Sequence, residues 1–163
     1  MKKKYLSFLA VVVSVLMLVA CGKREETTAQ QTEVNDLPVL SVTQTDGSEV
    51  FLRGLDGKLI LIFFNPDCDH CQNEAKAIAE NKKYFEDYQL YFISSDSIQN
   101  VKKFAEDYQL TDSNFHFTHG EGMAVYNAVG PLPSVPAIFL FRDRKRIKDF
   151  MGETQIEELK KYL

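Results

Sequence analysis

The strongest constraint on this chain is one continuous stretch, Leu59-Ile60-Leu61-Ile62-Phe63-Phe64-Asn65-Pro66-Asp67-Cys68-Asp69-His70-Cys71-Gln72-Asn73-Glu74. Its apolar half, rich in Ile and Phe, predicts a buried strand. Asn65-Pro66-Asp67 ends that strand, because proline lacks an N–H and biases the residue before it away from helix. From Asp69 onward good helix formers follow, among them Gln72, Glu74, Ala75, Lys76, Ala77 and Glu80, and the spacing predicts a helix reaching about Tyr88. Cys68 and Cys71 therefore fall at a strand-to-helix turn, in the first helical turn. Unpaired amides and the helix dipole favour an anion there, and a thiolate is one. In that setting C-x-x-C reads as a redox pair, with Cys68 as the exposed nucleophile and Cys71 as its resolving partner. The same spacing also occurs as half of a zinc site or as a passive structural disulfide. A four-cysteine zinc site needs a second pair, and the chain has only three cysteines.

The third cysteine closes the leader. Lys2, Lys3 and Lys4 precede an apolar segment from Leu6 to Val19, too short and wrongly flanked to span a membrane. It ends Leu18-Val19-Ala20-Cys21-Gly22, which resembles the lipobox of bacterial lipoproteins, where the signal is cleaved before a cysteine that becomes lipidated. Residues 1–20 are thus expected to be a lipoprotein signal peptide and Cys21 the lipidation site. An ordinary secretory signal or an uncleaved anchor is the plainer alternative. Each of these places the body of the protein outside the cytoplasm, in the cell envelope, where disulfides persist. Residues 21–36, with Glu-Glu, Thr-Thr and Gln-Gln and few apolar side chains, read as a flexible tether, and 37–163 as one folded domain.

With Cys21 lipidated, only Cys68 and Cys71 remain, too few for a disulfide scaffold. Without the three leader lysines, 16 basic side chains face 23 acidic ones, a net charge of about −7. That balance argues against nucleic acid or an anionic lipid surface as a partner. The core must form without tryptophan, from twelve Phe, seven Tyr and the aliphatics.

Further along, Val39 to Thr43 and Glu49 to Leu52 flank Thr45-Asp46-Gly47-Ser48, a hairpin signal. Leu90 to Ser95 predicts a second buried strand, and Ser97 a cap for a helix carrying Val101, Phe104, Ala105 and Tyr108 at helical spacing. Phe115-His116-Phe117 alternates like a short strand, and Met123 to Val129 suits a short helix ending near Gly130. Strands follow at Ala137 to Phe141 and Arg146 to Met151, joined through a basic turn, Arg142 to Lys148, that reads as solvated. Thr154 and Glu157 are spaced as a capping box for a last helix. The order β-hairpin, β, α, β, α, α, β, β, α, with Phe115 to Phe117 left out of the count, predicts an α/β domain: a central mixed sheet flanked by helices.

From about Leu37 to the end the chain resembles the thioredoxin-like fold, and within it the TlpA/ResA-type thiol–disulfide oxidoreductases related to alkyl hydroperoxide reductases. The resemblance rests on Asp46-Gly47 and Gly57-Lys58 around the hairpin, on Cys68-Asp69-His70-Cys71, on Glu74, and on Val135-Pro136 before the penultimate strand. It implies catalytic roles for Cys68, Cys71 and Glu74. It implies a cis-Pro136 that sets the Val135 backbone beside Cys68 to receive a peptide, no cofactor beyond the disulfide, and protein thiols as substrates. A membrane or extracytoplasmic redox partner would reset the pair. The plain alternatives are a trans proline opening a strand and a first-turn glutamate favoured by the dipole. Ile62 stands where cytoplasmic thioredoxins carry a buried Asp, and Asp67 where they carry Trp. Asp67 and Asp69 should disfavour a Cys68 thiolate and a cationic His70 should favour it, so the residues leave the redox direction open. The subgroup resemblance favours a reductase. Two other activities are compatible with the same fold. A peroxidase would usually carry threonine where Asn65 stands. A Sco-like copper protein would use Cys68 and Cys71 with His116 or His119, although Sco proteins space their cysteines one residue wider.

Overall fold

The computed structural model describes Val34 to Leu163. The leader, Cys21 and the tether as far as Glu33 lie outside the described residues. Seven strands form one mixed sheet: β1 (Ser41–Gln44), β2 (Glu49–Phe51), β3 (Lys58–Phe63), β4 (Gln89–Ser94), β5 (Phe115–His119), β6 (Ala137–Arg142) and β7 (Lys145–Met151), in the order β2-β1-β5-β4-β3-β6-β7. The helices are α1 (Asp69–Glu80), α2 (Ile98–Asp107), α3 (Gly122–Val129) and the short α4 (Ile156–Leu159). Among the described residues no helix is long and apolar enough to cross a membrane.

The central strands explain the apolar runs. In β3, Ile60 and Ile62 face a core shared with Ala75 and Ile78 of α1, Val101 and Phe104 of α2, and Ile156 and Leu159 of α4. Leu59, Leu61 and Phe63 face a second core, against which Ala124, Val125 and Ala128 of α3 pack. Buried on both faces, β3 needs no polar alternation. It is parallel to β4 and antiparallel to β6, so its C-terminal end, β4's C-terminal end and the start of β6 share one edge of the sheet. That edge carries the cysteines.

Phe115 to His119 is a full strand parallel to β4, and β1 pairs antiparallel with it. Leaving it out of the element count would have left the N-terminal hairpin without its seat in the sheet. Phe117 stacks on Phe92 with ring centroids 4.4 Å apart, while His116 points to the opposite face. The first helix stops eight residues short of the expected Tyr88. Asn81 ends it, its side-chain amide donating to the Ala77 carbonyl at 2.9 Å, and a 3-10 turn at Lys82–Tyr84 follows. Ser97 caps α2 as expected, its Oγ accepting from the Asn100 N–H at 3.3 Å. The expected capping box does not form. Gln155 occupies the N-cap of α4, and the Thr154 hydroxyl donates to the Gly152 carbonyl instead.

The basic stretch is a two-residue hairpin turn with Asp143 and Arg144 both at positive φ, 50° and 65°. Its charges are largely engaged within the domain. Arg142 donates to the Tyr88 hydroxyl and the Tyr162 carbonyl, Arg144 pairs with Asp56, and Arg146 pairs with Asp149 and lies over the Phe139 ring.

Candidate active site

The site begins with the way the chain leaves β3. Asn65 Oδ1 accepts from the Asp67 N–H at 2.8 Å, and the Cys68 N–H donates to the Asn65 carbonyl at 3.1 Å. These bonds fold residues 65–68 into a tight turn and set Cys68 as the N-cap of α1, in extended backbone. Its carbonyl accepts the first helical bond, from the Gln72 N–H at 3.0 Å. The side chain of Cys68 is therefore half-exposed at the helix start, and Cys71, one turn in, is buried.

From the other side comes the segment before β6. The Val135–Pro136 peptide is cis, and the Cys68 thiol donates to the Val135 carbonyl across 3.8 Å. The expected juxtaposition of Cys68 with Val135 and Pro136 is present.

The two thiols sit in different surroundings. Burial pushes the Cys71 thiol up to about 12, and the neighbouring Cys68 and Glu74 push in the same direction, against a backbone hydrogen bond at Asn65. Cys71 stays protonated until something removes its proton. Glu74, one turn further, is 1% exposed. Its Oε2 accepts from the Thr154 N–H at 2.7 Å, and its Oε1 is buried with no partner. Burial raises its carboxyl from an ordinary 4.5 to about 7; the Thr154 N–H opposes this and the Glu153 charge adds to it. A buried carboxyl with that proton affinity can take up or release a proton in the working range of an enzyme.

A cavity of about 730 Å³ opens beside Glu74, lined by His70, Asn73, Ser134, Val135, Glu153 and Thr154 among others. On the other side of Val135 a cavity of about 580 Å³ is lined by Phe63, Asn65, Ser95, Asp96, Leu132 and neighbours. Val135 borders both.

His70 does not turn to Cys68 in a hydrogen bond. Its Nδ1 lies 2.8 Å from Glu153 Oε2, and Asn73 Nδ2 donates to the same oxygen at 3.3 Å. Glu153 and Thr154 were not visible as site residues in the sequence. They lie about eighty residues away, in the loop after β7, and nothing local marks them. Asp67 and Asp69 flank Cys68 as expected from their positions, Asp69 as the first residue of α1.

The copper reading finds no geometry. His116 bonds Gln89 at 2.7 Å and stacks on Tyr91, and His119 bonds the Asp96 carbonyl at 2.7 Å. Among the described residues no three His, Cys, Asp or Glu side chains group as a metal site.

A thioredoxin-like sheet that presents a C-x-x-C pair at a helix start, beside a cis proline, defines a thiol–disulfide oxidoreductase. The chain belongs to the AhpC/TSA family, whose model matches residues 34–150. No curated protein matches it. Solved structures that it resembles include Mycobacterium tuberculosis DsbF, in mixed oxidised and reduced forms, at 20% identity and TM-score 0.65, covering 78% of this chain and 95% of that one. A secreted M. tuberculosis disulfide oxidoreductase homologous to E. coli DsbE matches at 18% identity and TM-score 0.59, over 76% and 92% of the two chains. A peroxiredoxin-like protein from Aquifex aeolicus matches at 16% and 0.63, over 78% and 82%. At these identities the likeness speaks for the fold.

Proposed function

We propose that this protein is an extracytoplasmic thiol–disulfide reductase of the TlpA/ResA type, held to a membrane by a lipid on Cys21 and using no redox group but Cys68 and Cys71. The observation that carries the reading is the half-exposed Cys68 sulfur, 3.8 Å from the Val135 carbonyl, with Cys71 buried behind it. The Cys68 thiolate attacks one sulfur of a substrate protein disulfide. A Cys68–substrate bond forms, the substrate S–S bond breaks, and the departing thiolate takes a proton from water. Cys71 then gives its proton to Glu74 and attacks the Cys68 sulfur. The Cys68–Cys71 disulfide forms, the Cys68–substrate bond breaks, and the second substrate sulfur leaves as a thiolate that takes up the proton Glu74 received. A redox partner at the membrane or outside the cytoplasm then returns two electrons, with protons from water restoring the dithiol. The Val135 backbone suits an extended substrate segment that pairs with it as an added strand.

The direction is supported by the subgroup resemblance and by the pairing of His70 with Glu153, which diverts the one side chain expected to favour the thiolate. The pair's reduction potential in glutathione or dithiothreitol buffers tests it. A value of about −250 mV or lower is expected, and one near about −120 to −180 mV would make the protein an oxidase or isomerase. The anchor is supported by Leu18-Val19-Ala20-Cys21, with a secreted relative of the same fold as company. Mass spectrometry of the mature protein is expected to find its N-terminus at Cys21 carrying acyl chains; a chain that still begins at Met1, or an unmodified Cys21, would overturn lipidation there. Peroxide reduction is less well supported, because Asn65 stands in the threonine position and its side chain closes the turn onto the Asp67 N–H.

A further inference from the structure

The loop that follows β7 reaches back to α1 at three points. His70 Nδ1 and Asn73 Nδ2 meet Glu153 Oε2 at 2.8 and 3.3 Å, and Glu74 Oε2 takes the Thr154 N–H at 2.7 Å. Only one of these contacts joins two side chains able to carry opposite charges. His70 is 69% exposed and Glu153 42%, so neither requires a partner for burial, and a histidine at this place would be expected to lend its charge to the neighbouring thiolate. Glu153 is ionised: its hydrogen bonds from His70 and Asn73 hold the carboxyl below its usual range.

We propose that Glu153 is a positioning residue that neutralises His70 at the edge of the dithiol and thereby keeps the Cys68–Cys71 couple reducing. This rests on the reading of Cys68 and Cys71 as the redox pair and deepens it. The physics is charge compensation. A cationic ring two residues from Cys68 would stabilise the thiolate, and hence the reduced form, which makes a couple more oxidising. A carboxylate 2.8 Å from the ring turns that charge into a short dipole, whose field falls off faster than that of a single charge. Asn73, one turn along the same helix, fixes the carboxylate on the ring. The other acidic groups near His70 are Asp67 and Asp69 on its own segment and Glu74 in the cavity wall. None of them is hydrogen-bonded to the ring, but the Glu153 charge also pushes the Glu74 carboxyl up, so each variant below is compared in the parent and in a Glu74→Gln background.

The equilibrium of the full-length protein with glutathione, protein dithiol plus oxidised glutathione giving protein disulfide plus two reduced glutathiones, reads the effect directly. A charge that acts on the thiolate counts only where a thiolate is populated, so the equilibrium is read as a series from about pH 6 to 8, between the ordinary imidazole and thiol ranges. Glu153→Gln keeps the size and an acceptor but removes the charge, and should favour the reduced protein by about two- to fivefold, the scale of an exposed ion pair. His70→Ala should shift it by a similar factor the other way. The double variant should return close to the parent, because the two charges leave together. The ring signals of His70 among the chain's three histidines should move in Glu153→Gln, while those of His116 and His119 stay. An unchanged equilibrium in Glu153→Gln, or a double variant no nearer the parent than the single ones, overturns the proposal while leaving the dithiol reading intact. A parent protein that forms no reversible Cys68–Cys71 disulfide would overturn both.

Discussion

Cys68→Ser is expected to abolish disulfide reduction, lowering turnover of a protein disulfide such as insulin by at least about a thousandfold. Of the two cysteines among the described residues, the one at the N-cap of α1 is the one a substrate can reach, since Cys71 is 2% exposed and burial holds it protonated. Serine at that position keeps the cap and the turn, so the loss should come without unfolding. Cys71→Ala should lose turnover for a different reason. Cys68 can still attack, but nothing displaces the substrate, and mixed disulfides should accumulate on non-reducing gels and vanish with dithiothreitol. If Cys68→Ser retained activity, or Cys71→Ala trapped no thiol protein at all, the division of roles drawn from exposure would fail.

The second large effect concerns Glu74 and pH. Its carboxyl rises from 4.5 to about 7 on folding because it is buried. The folded protein therefore holds this proton more tightly than the unfolded chain, and by linkage it loses stability as pH rises through that window. Below about pH 4.5 both states are protonated and Glu74 costs nothing through ionisation. Above about pH 7 the cost is complete, of order 3 kcal/mol from a shift of this size. Glu74→Gln keeps an acceptor for the Thr154 N–H and removes the charge. Urea unfolding of the reduced proteins should show little difference near pH 4 and a variant more stable by up to about 3 kcal/mol near pH 8. Parallel stability curves across that range would show that the carboxyl is not perturbed by burial. The same variant should also lose any titration near pH 7 in the rate at which Cys71 resolves a mixed disulfide, if Glu74 handles its proton.

Much of the fold was legible because its central strands are apolar on both faces and its breaks are chemical. Leu59 to Phe64, Leu90 to Ile93 and Ala137 to Phe141 read as buried strands, Asn65-Pro66-Asp67 as the break after the first and Asp46-Gly47 as a hairpin turn. The dithiol was legible because it sits at a junction between such elements, whereas the cis form of the Val135–Pro136 bond was implied by the family resemblance alone. What failed did so where two local signals competed. Asn81 cut the first helix by bonding back to Ala77, although the residues after it are acceptable in a helix. Thr154 and Glu157 had capping-box spacing, yet the Thr154 N–H serves Glu74 and its hydroxyl serves Gly152. Phe115 to His119 was too short and too polar to read as a strand central to the assembly, and only its pairing with β4 and β1 gives it that place. Glu153 was invisible because its meaning comes wholly from His70, on another element.

The other end of the sheet also has a consequence. The Asp36 N–H donates to the Arg144 carbonyl at 2.9 Å, and the Asp36 carboxylate accepts from the Arg146 N–H at 3.0 Å, riveting the chain's entry to the β6–β7 turn. Lys58 lies at that end of β3, opposite Arg142, and Phe63 at the other end, opposite Ala137. Six residues of strand separate the two poles, roughly 20 Å. Among the described residues the chain thus enters at the pole opposite the sulfurs, so a substrate that meets Cys68 does so about a strand's length from Asp36.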